Sequence, residues 1–161
     1  MNVSGEKKTP PHHVVKVKRL EKWAKLPVQS DELASGFDLY LHEVDTTLTH
    51  KTEGTVTWYR TGLAMEPPAQ SYFLLYPRSS LSKTDYWLAN SVGILDFSFR
   101  NEVLVALRTY PAPFKPKPLE LPGRYVQIVP TPLLAPHFKF EEADELQSTQ
   151  RTGGFGSTGL K

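Results

Sequence analysis

Cysteine is absent from the 161-residue chain. A disulfide framework, a thiolate-ligated zinc site and a thiol nucleophile are therefore excluded. The absence also suits a reducing compartment. No apolar run approaches the roughly 18 residues of a membrane-spanning helix. The leading segment MNVSGEKKTPPHH lacks the apolar stretch of a secretory signal. The expected location is thus intracellular, cytoplasmic or nuclear, with no membrane partner. An excess of one charge is missing as well. Lys and Arg total 19 and Asp and Glu 17, for a net charge of +2, so bulk nucleic-acid binding is not expected. The histidines at 12, 13, 42, 50 and 137 have no ligand spacing, and neither HExxH nor GxSxG occurs. No internal repeat is visible.

Proline, by contrast, is abundant, at 14 residues, with 10 glycines. Apolar residues make up 39% and charged residues 22%, the balance of a globular chain. The length suits one domain of about 100–150 residues with a terminal extension. Short β-rich segments recur between Pro and Gly turns: VVKVKRL (14–20), AKLPV (24–28), GFDLYL (36–41), TVTWYR (55–60), SYFLLY (71–76), 86–95 interrupted at Gly93, EVLVALRTY (102–110) and RYVQIV (124–129). About eight to ten such segments predict an all-β fold, a jelly-roll-like barrel. One short helix competes with strand over EEADELQ (141–147), and 42–54 reads as a loop without a functional account. The predicted organisation is a disordered lead (1–13), a β domain (14–130) and a C-terminal arm (131–161).

Five segments can carry chemistry. In GGFGSTG (153–159), the closely spaced glycines let backbone N–H groups converge on anionic oxygens. Ser157 and Thr158 add hydroxyls, Arg151 adds a charge, and the Phe155 ring could stack on a base. Composition leaves this segment open between a phosphate cradle and a flexible Gly-rich end. PRSS (77–80) follows an apolar strand and offers the Arg78 fork with the Ser79 and Ser80 hydroxyls, but alone it reads as a polar turn. In NSVGILDFSFRNE (90–102), Asp96 follows a buried-looking Ile94-Leu95 pair and could serve as a general base. Asn90 suits a base edge and Phe99 could pack under a sugar, while the plain alternative is a hairpin with Phe99 in the core. Asp38, within ASGFDLY (34–40), is a buried-carboxylate candidate that would pair with an Arg or face the water shell of a metal ion. Gln127, midway along RYVQIV, needs a hydrogen-bond partner.

Taken in order, ASGFDLY, PRSSL (77–81), NSVGILDFSFRNE, PGRYVQIV (122–129) and RTGGFGSTG (151–159) resemble the motifs of the trimeric dUTPase family, across about residues 14–161. The last is the most specific. The resemblance implies a jelly-roll homotrimer whose active sites are shared between subunits. It also implies hydrolysis of dUTP to dUMP and pyrophosphate, which keeps uracil out of DNA and supplies dUMP for thymidylate synthesis. By position, Asp96 matches the carboxylate that activates the attacking water. Asn90, Gly93 and Ile94 match the hairpin that reads uracil, Phe99 the ring under the deoxyribose, and Phe155 the ring that stacks on uracil. Arg78, Ser79, Ser80, Gln127, Arg151, Gly153, Gly154, Gly156, Ser157 and Thr158 match phosphate-binding or site-organising groups. The implied cofactor is Mg²⁺, held mainly by phosphates and water, with Asp38 near its water shell.

The chain departs from the family pattern at Phe99, where Tyr is usual, and at Ser80 and Asn101, where Gly is usual. Gln150-Arg151 also shifts the arm's Arg by one position. These departures motivate an alternative, a catalytically weak, nucleotide-binding regulatory protein. A more remote alternative is dCTP deaminase, but where those enzymes carry a catalytic Glu this chain has Ala106.

Overall fold

The computed structural model describes residues 13–51 and 55–147. Eleven strands run in chain order: β1 (Lys16–Arg19), β2 (Val28–Gln29), β3 (Phe37–Leu41), β4 (Glu43–Val44), β5 (Val56–Arg60), β6 (Leu63–Glu66), β7 (Ser71–Pro77), β8 (Trp87–Leu88), β9 (Gly93–Leu95), β10 (Leu104–Arg108) and β11 (Gly123–Pro132). A short helix, α1, spans Thr46–Lys51, and 3₁₀ turns occupy Ser79–Lys83 and Ala135–His137. The strands form a five-stranded sheet (β2-β3-β11-β7-β9), a four-stranded sheet (β4-β5-β10-β8) and a two-stranded ribbon (β1-β6). Every pairing among them is antiparallel.

The two larger sheets share one core. Leu39, Leu41, Phe73, Leu75, Val126 and Ile128 come from the five-stranded sheet. Tyr59, Leu88, Val105 and Leu107 meet them from the four-stranded one. Alternation produces this arrangement. In β11, Val126 and Ile128 are buried while Gln127 and Val129 are half-buried, so one face points inward and the other carries polar groups. Each fully buried Leu or Phe contributes about 1.5–3 kcal/mol relative to exposure. The outward face of the five-stranded sheet is thereby left free to hold Asp38 and Gln127.

Four expectations differ from the structure. Residues 141–147 form no helix and are exposed. EEADELQ has only Ala143 and Leu146 to offer a core, and an isolated helix this short is unstable in water. The 42–54 stretch contains β4 and α1, and the Asp45 carboxylate caps α1 by accepting the Leu48 N–H at 2.9 Å. Strand β6 escapes a propensity reading because LAME is poor in β formers; it is held by pairing with β1. Ile94 is not buried but 63% exposed.

Candidate active site

At one end of the five-stranded sheet the chain gathers Asp38, Arg78, Ser80, Arg124 and Gln127. Asp38 lies on β3 between core residues, yet its side chain points to the opposite face, and the residue is only 5% exposed. A carboxylate buried this deeply requires pairing. Arg78 Nε lies 2.7 Å from Oδ1, and Arg124 Nη1 lies 3.3 Å from Oδ2. Arg78 follows β7, and its own N–H continues the ladder by donating to the Tyr125 carbonyl at 2.9 Å. Its Nη1 donates to the Arg124 carbonyl at 2.7 Å, to which the Ser80 hydroxyl also donates at 3.2 Å. Among the described residues, Arg78 Nη2 and the Ser79 hydroxyl have no hydrogen-bond partner. The fixed guanidinium thus keeps Nη2 available for an anion.

Gln127 sits directly opposite Asp38 in the register, and its Nε2 donates to the Pro77 carbonyl at 3.3 Å. The buried Gly36 makes room for this amide. A Cβ at position 36 would stand 2.6 Å from Gln127 Oε1 and 3.1 Å from the Ile128 carbonyl. Arg124 was not singled out from the sequence, and strand periodicity explains why. Arg124 and Gln127 are three residues apart and face opposite ways in a regular strand. A bulge at Tyr125 resets the register, so that Arg124 pairs with Tyr40 and Gln127 with Asp38, two positions on one face of β3. The Arg124 guanidinium consequently reaches Asp38 and lies 5.7 Å from the Tyr40 ring centre.

The second set of expected residues lies elsewhere, in the stretch from β8 through β9 to β10. Ser91, at φ 61°, makes the tight turn, and β9 pairs along β7, with Gly93 opposite Leu75 and Ile94 opposite Leu74. Gly93 is needed for close approach. A Cβ there would meet the Leu75 side chain at 3.0 Å and Asn90 Nδ2 at 3.4 Å. Asn90, Ile94 and Asp96 face solvent, and Phe99 is half-buried against the core. The Phe99 N–H donates to the Asp96 carbonyl at 3.0 Å, so Asp96 opens a turn. No hydrogen bond or ion pair of the Asp96 carboxylate occurs among the described residues, and none links it to the Asp38–Arg78 group. A cleft of about 520 Å³, lined by Arg78, Ser79, Leu81, Tyr86, Trp87 and Ser91, runs beside the Arg78 turn. The expected residues thus fall into two groups within one chain, one around Asp38 and one around Asp96, and the cleft reaches from Arg78 and Ser79 to Trp87 and Ser91 before the second group. The expected arm residues Arg151, Gly153, Gly154, Phe155, Gly156, Ser157 and Thr158 lie outside the described residues.

No cluster of three or more His, Asp or Glu side chains able to hold a metal occurs among the described residues. Both Asp38 oxygens are already engaged by guanidiniums. The donor set does not fit a directly ligated ion. It fits one carried by a ligand's phosphates and reached through water. Nor does any helix of the described residues have the length and apolarity to cross a membrane.

A family model for dUTPase matches residues 22–159. The deoxyuridine 5'-triphosphate nucleotidohydrolase of Alkaliphilus metalliredigens is 35% identical over 150 residues, covering 91% of this chain and 98% of that protein. That of Yarrowia lipolytica is 30% identical over 147 residues, covering 91% and 89%. Among solved structures, a mutant dUTPase of Staphylococcus bacteriophage 80alpha with dUpNHpp superposes with a TM-score of 0.65 at 17% identity, covering 92% of this chain and all of that one. A mutant dUTPase of phage phi11 of S. aureus, described with a structural Mg(II) ion, gives a TM-score of 0.58 at 14% identity over 86% of this chain. At these identities the structural likeness speaks for the fold.

Proposed function

The chain belongs to the dUTPase family, and from that premise we propose that it hydrolyses dUTP to dUMP and pyrophosphate at a site assembled from these two groups as half-sites. The observation that carries the assignment of roles is the Asp38–Arg78–Arg124 group. It fixes a guanidinium whose Nη2, like the nearby Ser79 hydroxyl, has no partner among the described residues. A planar fork held in this way suits phosphate oxygens.

In the proposed reaction a water oxygen attacks the α-phosphorus. The bond from that phosphorus to the α,β-bridging oxygen breaks, and its electron pair leaves with pyrophosphate. Asp96 orients the water and accepts its proton. Its exposure and its lack of a partner among the described residues leave both oxygens free for this. Arg78, Ser79, Ser80 and Gln127 position the phosphates, joined by Arg151, Gly153, Gly154, Gly156, Ser157 and Thr158 of the arm. Asn90, Gly93 and Ile94 read the uracil edge, and Phe155 stacks on the base. Phe99 packs under the sugar and leaves no space for a 2′-hydroxyl. Mg²⁺ carried by the triphosphate would supply charge neutralisation, and Asp38 is the carboxylate that would lie near its water shell. Ala106 is half-buried on β10 opposite Trp58 and offers no carboxylate, which supports hydrolysis over deamination.

The proposed assembly is a homotrimer in which the Asp96 half-site of one subunit faces the Asp38 half-site of another. Exposed apolar side chains support it. Ile94 is 63% exposed, and beyond β11 Phe138 and Phe140 are 69% and 99% exposed.

The test is pyrophosphate release from dUTP, dCTP, dTTP and UTP, with and without Mg²⁺. Release from dUTP alone, dependent on Mg²⁺ and abolished by Asp96→Asn, is expected. A folded protein that releases no pyrophosphate from dUTP would sink the assignment and favour the nucleotide-binding regulatory alternative.

A further inference from the structure

Arg60 ends β5, and three carboxylates converge on its guanidinium. Its Nε lies 3.2 and 3.1 Å from the two Glu102 oxygens, and its Nη2 lies 2.9 Å from Glu102 Oε2. Glu43 takes Nη1 at 2.8 Å and Glu21 takes Nη2 at 3.1 Å. The Trp23 ring centre is 5.6 Å from the guanidinium carbon. Arg60 and Glu102 side chains are only 24% and 17% exposed, so the pair is shielded from solvent more than an ordinary surface ion pair. The bonds to Glu102 hold Arg60 well above its ordinary range, against the opposing effect of burial.

Glu102 has a second task. Its Oε1 accepts the Gly62 N–H at 2.8 Å. Gly62 is itself fixed, at φ +68° and with Trp23 only 2.7 Å from where a Cβ would stand. The next residue is fastened too: the Val103 N–H donates to the Leu63 carbonyl at 2.8 Å, and the Thr61 hydroxyl donates to the Val103 carbonyl at 2.7 Å. Residues 60–63 thus clamp residues 102–103, immediately after the turn that Asp96 opens. At the other end, Gly93–Leu95 is laddered onto β7. Between the anchors the turn is braced internally. Arg100 donates to the Phe97 and Phe99 carbonyls, and Phe99 packs against the core. A braced turn between two anchors moves as a unit, so its pose is set at the anchors.

We propose that Arg60 is a positioning residue for the hydrolysis: through Glu102 it fixes the downstream anchor of the 96–101 turn, and with it the pose of the Asp96 carboxylate. This inference rests on the reading of Asp96 as the group that activates water. A fork that contacts both Glu102 oxygens fixes direction as well as distance, which a point charge does not. A displacement of the carboxylate of about 1 Å costs on the order of 100-fold in rate.

The experiment uses the full chain with Arg60→Met and with Arg60→Met combined with Glu102→Gln. The single variant orphans a shielded carboxylate and loses thermal stability. The double variant removes that orphaned charge and regains the stability. If Arg60 positions the turn, kcat falls between roughly 10- and 100-fold in both variants, and KM rises by less than kcat falls, because Phe99 rides on the same turn while the other substrate contacts are intact. Amide hydrogen exchange over 96–103 also becomes faster in both. Recovery of kcat together with Tm in the double variant, an unchanged kcat in the single one, or unchanged exchange over 96–103 would each overturn the proposal. If wild-type protein does not release pyrophosphate from dUTP, or Asp96→Asn retains its rate, the reading of Asp96 fails separately. The exchange measurement then still decides whether Arg60 holds the turn.

Discussion

Asp38 and Asp96 are both carboxylates close to a strand, yet their surroundings are opposite. Asp38 is 5% exposed and gripped by two guanidiniums, and it faces Gln127 across a strand pair. Asp96 stands in solvent with no side-chain partner among the described residues. The first is satisfied by its own chain and organises arginines. The second is left unsatisfied at a turn whose backbone is anchored at both ends. A group that must accept a proton has to be free, whereas a group that orients cations has to be bound. On the proposed function, the contrast separates an organising half-site from a reacting one.

The widest gap between the two should open in activity. Asp96→Asn is expected to reduce pyrophosphate release by roughly 10²–10⁴-fold. An exposed, unpaired carboxylate contributes little to folding, so the thermal midpoint should barely move, within about 0.5 kcal/mol of stability. A large loss of stability in this variant would erase the distinction. Asp38→Asn should behave in the other way. It leaves Arg78 and Arg124 without their counter-charge and costs about 2–3 kcal/mol. Denaturant unfolding should show that loss alongside a fall in substrate affinity. Stability equal to wild type would mean that the pair is not the organiser.

A smaller effect should follow from Gly36→Ala. Its Cβ would lie 2.6 Å from Gln127 Oε1, and the neighbouring Ile128 carbonyl at 3.1 Å cannot swing away. The expected cost is about 1–3 kcal/mol, with KM raised more than kcat is lowered, because Gln127 belongs to the organising half. Wild-type KM would show that Gln127 is not needed in place.

The mildest test concerns pH and lies outside both half-sites. His42 stacks on Trp23 at 4.6 Å, and its buried Nε2 has no partner among the described residues. Burial, and then the Lys25 charge, push its imidazole below the ordinary value of 6.5. The unfolded chain therefore takes up the proton more readily than the folded one. The stability His42 contributes is fully present above about 6.5 and is lost as pH falls through its folded value. Unfolding free energies between about pH 8 and 5 should decline in wild type and flatten in His42→Phe, which keeps the ring. Parallel curves for the two proteins would exclude His42 as the titrating group.

Much of the fold was legible because β patterning is local. RYVQIV and EVLVALRTY alternate in sequence as they do in β11 and β10, and Pro and Gly mark the turns between strands. Asp38 was legible only as a buried carboxylate open to an Arg or to the water shell of a metal ion, since an acid inside an apolar strand must find a cation; the pairing with Arg78 and Arg124 came from the structure. Strand β6 and helix α1 were not legible. LAME is a strand because β1 lies beside it, and α1 has too few residues for a periodic signal. Ile94 misled because an apolar residue in an edge strand reads as core until the neighbouring strands are known.

The amino-acid order by itself determined the all-β character, the exclusion of thiol and zinc chemistry, and the succession of segments that carries membership of the dUTPase family. Those properties depend on composition and on periods of a few residues, which survive without any partner in space. Only the tertiary structure decided that Arg124 shares a face with Gln127, because a bulge at Tyr125 shifts the register between them. It alone brought Arg60 onto Glu102 across 42 residues of chain. It also placed Asp38 and Asp96 in different environments. Burial, register and counter-charge are properties of neighbours, and for these residues the neighbours are set by strand pairing and not by sequence distance.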